Sequence, residues 1–207
     1  MKTIKNIAIH NTGGYQSSYF ASTAHLTASD VDKAHRDRFN MLSSLNQWGG
    51  YNFFIDRTGY VTQFRAIGEE TAAQKGHNFD TISICLAGNF SKSASTGMLV
   101  DIPPSVQTVS LRNLVIGIIE GKHSYVVAPD TNLALSFARI HPHRYYQPDT
   151  ECYGSGLADS WCQELFKKYI DLKTRLLQMT LQLLYARLNA LRFGSMERSC
   201  FDTDNRG

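Results

Sequence analysis

The sequence predicts an α/β domain, with a mixed central β-sheet covered by helices, followed by a long C-terminal amphipathic helix. Three observations carry this. Short apolar runs of strand length alternate with longer stretches of helical period over residues 1–160. Clusters of Gly, Asn and Asp separate them, which is turn chemistry. From Trp161 to Arg192 there is neither Gly nor Pro, and good helix formers dominate. The expected organisation is one domain over 1–160 and a helix with a polar tail over 161–207.

Ile4–Ile9 reads as a short buried strand, with Ile7 and Ile9 alternating against Asn6 and Ala8. It stops at the polar cluster His10-Asn11-Thr12-Gly13-Gly14. A side chain at such a strand end is fixed by the sheet while the loop beside it stays open. Thr27-Ala28-Ser29-Asp30 offers N-caps for a helix running to about Trp48, ended by Gly49-Gly50. Tyr51–Asp56 and Tyr60–Phe64 flank Arg57-Thr58-Gly59 as a hairpin. Thr81–Ala87 is another apolar strand. Ser105–Glu120 carries Val106, Val109, Leu111, Leu114, Ile118 and Ile119 at helical spacing. Phe137–Ile140 is expected to be a last short strand leading into His141-Pro142-His143. In the final helix Ile170, Leu177, Leu184 and Leu191 recur every seven residues, joined by Leu181 and Leu188 in an a/d-like seam. Leu172, Leu176 and Leu183 broaden it. Packing on the parent domain, self-association and contact with an envelope surface are the three readings of that stripe.

Composition narrows the field. Hydrophobic residues make up 43% of the 207-residue chain and aromatics 11%, which excludes a disordered protein. The net charge of +3 is unevenly placed: residues 1–160 hold 13 basic and 13 acidic side chains, residues 161–207 hold 8 and 5. The excess thus lies in the C-terminal segment, where it favours an anionic surface, and no nucleic-acid partner is expected. Met1–Asn6 lacks the apolar core of a signal peptide, and no run reaches the roughly 18–20 apolar residues of a membrane span. A cytoplasmic chain is expected on this reading, and with it Cys85, Cys152, Cys162 and Cys200 as thiols or metal ligands rather than disulfides.

The chemistry rests on several segments in one order: Ile7-Ala8-Ile9-His10-Asn11-Thr12, Gly50 through Arg57, Gly76-His77-Asn78, Ile82 through Phe90, and His143-Arg144 through Asp149-Thr150-Glu151-Cys152-Tyr153-Gly154. Over about residues 4–160 this pattern resembles the type 2 N-acetylmuramoyl-L-alanine amidase family. That family includes T7 lysozyme-like endolysins and the peptidoglycan recognition proteins. The resemblance implies their mixed-sheet fold and a zinc ion held by His10, His143 and Cys152. Two imidazoles and a thiolate suit Zn2+, and three protein ligands leave a fourth position open, as catalytic sites require. His141 competes with His143, and the His143-Arg144 match decides for His143. The resemblance makes Tyr51 and Thr150 catalytic, as donors to the tetrahedral intermediate, and places His77 and Asn78 along the substrate groove. Cys85 is expected to be an inert core thiol.

Three departures from the family pattern stand out. Cys152-Tyr153-Gly154 replaces Cys-Pro-Gly, and the spacing from His143 to Cys152 is about one residue longer. Ala72-Ala73-Gln74 stands where relatives carry Ala-His. The expected function is hydrolysis of the amide between N-acetylmuramic acid and L-alanine in bacterial peptidoglycan, as an endolysin that waits in the host cytoplasm until lysis and then acts on the cell wall. The alternatives are a non-catalytic peptidoglycan-binding module, which typically lacks the Cys ligand, and a cytoplasmic wall-recycling amidase, which usually carries Asp there.

Overall fold

The computed structural model describes residues 1–13, 21–93, 95–150 and 152–201, with side chains described through residue 191. Gly14, Glu151, Cys200 and the tail from residue 202 therefore lie outside the described residues or side chains. The chain divides into two compact units, Met1–Leu165 and Phe166–Gly207.

The first unit is built on a five-stranded sheet. Its strands are β2 (Asn6–Asn11), β3 (Phe53–Ile55), β4 (Val61–Gln63), β5 (Thr81–Leu86) and β7 (Ile140–Pro142), in the order β4-β3-β5-β2-β7. All neighbours are parallel except the β3–β4 hairpin. Two further strands, β1 (Lys2–Ile4) and β6 (Thr131–Leu133), pair in parallel apart from it. The expected single strand Ile4–Ile9 is thus divided. Lys5 N–H bonds the carbonyl of Asp80, so the chain changes partners there. A period-two pattern cannot register such a change, because the alternation of side chains runs on through it.

Register sorts the side chains. His10 stands beside Cys85, and Cys85 beside Phe54, so these three share one face. Ala8 and Ser83 lie on the same face one step back. The opposite face presents Ile7, Ile9, Phe53, Ile55, Ile82 and Ile84, all fully buried. The face bearing His10 also packs Val31 of α1 (Ala28–Phe39) with Phe54, Phe64, Cys85 and Ala87, and Tyr51 leans on that cluster. Helix α2 (Ser105–Ile119) packs against β3, and the Gln107 side chain donates to the carbonyls of Ile55 and Ala87 at 3.0 Å.

Helix α1 opens on a capping box, with Thr27 and Asp30 each accepting the other's backbone N–H. It ends at Asn40, left-handed at φ 48°, not near Trp48 as the sequence predicts. Side chains outcompete the helix ladder beyond that point. The Ser43 hydroxyl accepts from Leu45 and Gln47 and donates to Phe64 O, and the Asp32 carboxylate accepts from the N–H groups of Trp48 and Gly49. Phe137–Arg139, expected as a strand, is one turn of 3-10 helix, and β7 follows it.

The C-terminal helix α3 runs from Trp161 to Phe201. The leucines of its seam are all exposed, from 46% at Leu181 to 66% at Leu191. Pairing of this seam with a second copy has no support here. Among the described residues, no helix is long and apolar enough to cross a membrane.

Candidate active site

The site lies at the carboxyl end of the parallel strands, where open α/β sheets receive their ligands. β2 delivers His10, buried to 1% exposure, next to its last residue. β7 ends at Pro142, and the chain turns into a short 3-10 helix, His143–Tyr145. In an unbroken strand His141 and His143 would point the same way. The turn separates them. His143 brings its ring to 4.4 Å from that of His10, whereas His141 stacks on Tyr145 at 3.9 Å.

Cys152 completes the cluster. Its Sγ lies 3.7 Å from His10 Nδ1 and accepts from the Asn11 N–H at 3.4 Å. Ligand atoms of His10, His143 and Cys152 all lie within 4.8 Å of one another, and this is the metal-capable group found among the described residues. Arg144 holds the loop that presents Cys152. Its guanidinium donates to the carbonyls of Gly154 (2.9 Å) and Leu157 (2.6 Å) and pairs with Asp159, and its N–H bonds Cys152 O. One residue thereby ties the His143 turn to the Cys152 loop. Tyr153, which replaces the family's proline, is fully buried, and its hydroxyl donates to Ala158 O at 2.6 Å.

The groove beside the cluster measures about 930 Å³, and Tyr51, Thr150, Asn78, Gln74 and Gln147 reach it along with the three candidate ligands. Burial decides the charge state of its walls. Burial first, and the neighbouring His143 second, hold the His10 pKa well below the ordinary value; burial also lowers that of His143. Burial pushes the Cys152 thiol up to about 12, against the Asn11 N–H and Arg144. The same cause keeps the Tyr51 phenol protonated well above its usual range. From the protein's own groups, the site is a set of neutral donors clustered around one point. Two neutral imidazoles and a thiol, open to a groove on one side, fit a zinc ion, which would displace the thiol proton and hold Cys152 as its thiolate.

The family model for N-acetylmuramoyl-L-alanine amidase matches residues 1–155, which include the whole cluster. The chain belongs to the N-acetylmuramoyl-L-alanine amidase family. Among solved structures, the amidase LysC from Clostridium intestinale URNW is similar, at 18% identity and TM-score 0.53, covering 82% of this chain and 97% of that one. The Ph2119 endolysin from Thermus scotoductus MAT2119 bacteriophage Ph2119 is 15% identical with TM-score 0.52, covering 80% and 86%. Bumblebee PGRP-SA is 20% identical with TM-score 0.50, covering 79% and 80%. At these identities the likeness is one of fold. No curated protein matches.

Within this amidase fold, the remaining expected residues are placed as follows. The Tyr51 ring sits 5.1 Å from that of His10 and 5.2 Å from that of His35. Its approach is set by α1, because His35 Nδ1 accepts the Gly50 N–H at 2.7 Å. Thr150 borders the groove, and its hydroxyl accepts from Cys152 N–H at 3.3 Å. The Asn78 Oδ1 accepts from Thr71, Ala73 and Gln74, which braces the 74–78 turn. His77 lies off the groove wall, 3.5 Å from Asp80 and with its ring 4.9 Å from that of Tyr146. Cys85 is fully buried, under Tyr51.

Two residues of the site are not assigned any role from the sequence. Gln74 Oε1 lies 3.1 Å from His10 Nε2, and Gln147 Oε1 lies 2.6 Å from His143 Nε2. The only signal for Gln74 is its place in a segment that departs from the family pattern. Gln147 carries none.

Proposed function

We propose that this protein hydrolyses the amide between N-acetylmuramic acid and the L-alanine of the peptidoglycan stem peptide, as a zinc enzyme in which His10, His143 and Cys152 hold the metal. The observation that carries it is the convergence of those three donors within 4.8 Å on the wall of a groove, in a chain of the amidase family. Zinc held there would polarise the scissile carbonyl and activate water at neutral pH.

The protein's own groups would do the rest. Tyr51, kept protonated by burial beside His10, donates a hydrogen bond to the carbonyl oxygen as it gains charge. The Thr150 hydroxyl accepts from Cys152 N–H and so retains its own proton to donate toward the same oxygen. The groove binds the stem peptide next to these groups, and the departing amine takes a proton from water reached through the open side. Retention of Cys152 favours an enzyme over a binding module, and over the recycling amidases that carry Asp at that place. An endolysin role agrees with the similarity to a bacteriophage endolysin. The basic C-terminal segment would then add attraction to an anionic envelope.

Digestion of purified sacculi, with and without a chelator, followed by mass analysis, tests this reading. Released stem peptides with intact glycan strands, lost on chelation and restored by Zn2+, are expected. Reducing sugar ends, or hydrolysis indifferent to the chelator, would overturn it.

A further inference from the structure

Both candidate ligand histidines have their Nε2 atoms engaged by a glutamine, and each glutamine is oriented by a backbone group that can act in only one way. The Gln74 amide nitrogen lies 3.4 Å from the His77 carbonyl, which can only accept, so its NH2 faces that carbonyl. Its Oε1 is therefore the atom facing His10 Nε2, and it also accepts from the Ser83 hydroxyl at 2.9 Å. An oxygen acceptor there requires the proton on His10 Nε2. The lone pair then lies on Nδ1, the atom 3.7 Å from Cys152 Sγ.

The second case has the opposite logic and the same result. Gln147 Oε1 accepts the Lys75 N–H at 3.3 Å, and a backbone N–H can only donate. The same oxygen, 2.6 Å from His143 Nε2, must receive a proton from it, leaving Nδ1 of His143 as the free lone pair. Gln74 and Lys75 are consecutive. The turn they begin is braced by Asn78, whose Oδ1 accepts the N–H groups of Ala73 and Gln74.

We propose that Gln74 and Gln147 are positioning residues which fix both His10 and His143 as Nε2–H tautomers, with the 74–78 turn supplying one group to each through the Gln74 side chain and the Lys75 N–H, so that both present Nδ1 to one metal ion. This rests on the zinc reading above for its purpose, but the tautomers are a property of the protein alone. Outer partners of this kind orient ligand rings and raise their basicity, and losing one typically lowers metal affinity by about 10–100-fold. It also gives the Gln74 segment, where relatives carry Ala-His, a definite task.

The test uses the full chain labelled with 15N-histidine, freed of metal and held at pH 7.5, with two-bond 1H–15N correlations reporting the protonated nitrogen. The wild type is expected to show both histidines as Nε2–H. Gln74→Leu should convert His10 to a tautomer mixture and leave His143 unchanged; Gln147→Leu should do the reverse. In competition with a chromophoric chelator, each Leu variant should bind Zn2+ about 10–100-fold more weakly, while Gln74→Glu and Gln147→Glu, which keep an acceptor, stay near wild type. A wild-type spectrum with Nδ1–H or mixed tautomers overturns the proposal even if the variants fail to fold. So do Leu variants with unchanged tautomers and zinc affinity. Fixed Nε2–H tautomers in a wild type that binds no zinc would uphold this inference and sink the zinc enzyme instead.

Discussion

The groove face of the sheet and the helix α3 show opposite uses of a regular sequence pattern. On the sheet, alternation places Ala8, His10, Ser83 and Cys85 on one face, every one of them buried, and each polar group among them meets a partner. In α3 the heptad spacing is cleaner than anything in the sheet, yet Leu177, Leu184 and Leu191 are each at least half exposed. Periodicity specifies which side chains share a face. It says nothing about whether anything covers that face. In the first unit the covering comes from residues far away in sequence, such as Gln74 over His10, and these carry the chemistry.

This contrast can be broken from the groove side first. Cys152→Ser should cost more than about 100-fold in sacculus hydrolysis, beyond the loss of an outer partner, and abolish stoichiometric zinc by metal analysis. Arg144→Ala should lower the unfolding free energy by about 2–3 kcal/mol in denaturant titrations, since the Gly154 and Leu157 carbonyls lose a charged donor. Arg144→Lys should recover only part of this, because an ammonium lacks the planar fork.

A smaller effect is expected in acid. Burial lowers the His35 pKa to about 4 in the folded protein, against 6.5 for the ordinary group, so that its Nδ1 stays free to accept from Gly50. Above pH 6.5 neither folded nor unfolded chain protonates this ring. Between 6.5 and about 4 only the unfolded chain does, so stability falls with falling pH and levels off below that window. The loss is on the order of 2 kcal/mol once the ring's partial exposure is discounted, and His35→Asn should remove that part of the slope in denaturant midpoints. The smallest effect belongs to α3. Leu177→Glu with Leu184→Glu should shift thermal unfolding of the first unit by no more than about 0.5 kcal/mol equivalent. A larger shift would mean that the exposed stripe is covered in solution.

Much of this was legible beforehand, for physical reasons that differ by element. β5, α2 and the β3–β4 hairpin follow from local pattern and turn chemistry, and the Arg57-Thr58-Gly59 turn closes as expected, with Gly59 at φ 85°. The convergence of His10, His143 and Cys152 was expected from the resemblance of several segments, in order, to the amidase family, and their ligand atoms do lie within 4.8 Å of one another. The division of the first strand at Lys5 was not, because strand partners are a long-range choice. Nor was the early end of α1 at Asn40, where Asp32 and Ser43 capture backbone groups the helix would otherwise use. Gln147 shows the limit most clearly. Its role depends on Lys75 N–H, 72 positions away, and nothing local announces it.

The Cys152 Sγ and His10 Nδ1 atoms that nearly meet are 142 positions apart in the chain. An ion gripped by both would act as a clasp between the first strand of the sheet and the last loop of the unit, closing a ring almost as long as the unit itself. The entropy of closing so long a ring grows only with the logarithm of its length, and any affinity for the closed form adds directly to the work of opening it. Scarcity of that ion would thus lower the stability of the unit along with any reaction that depends on the ion.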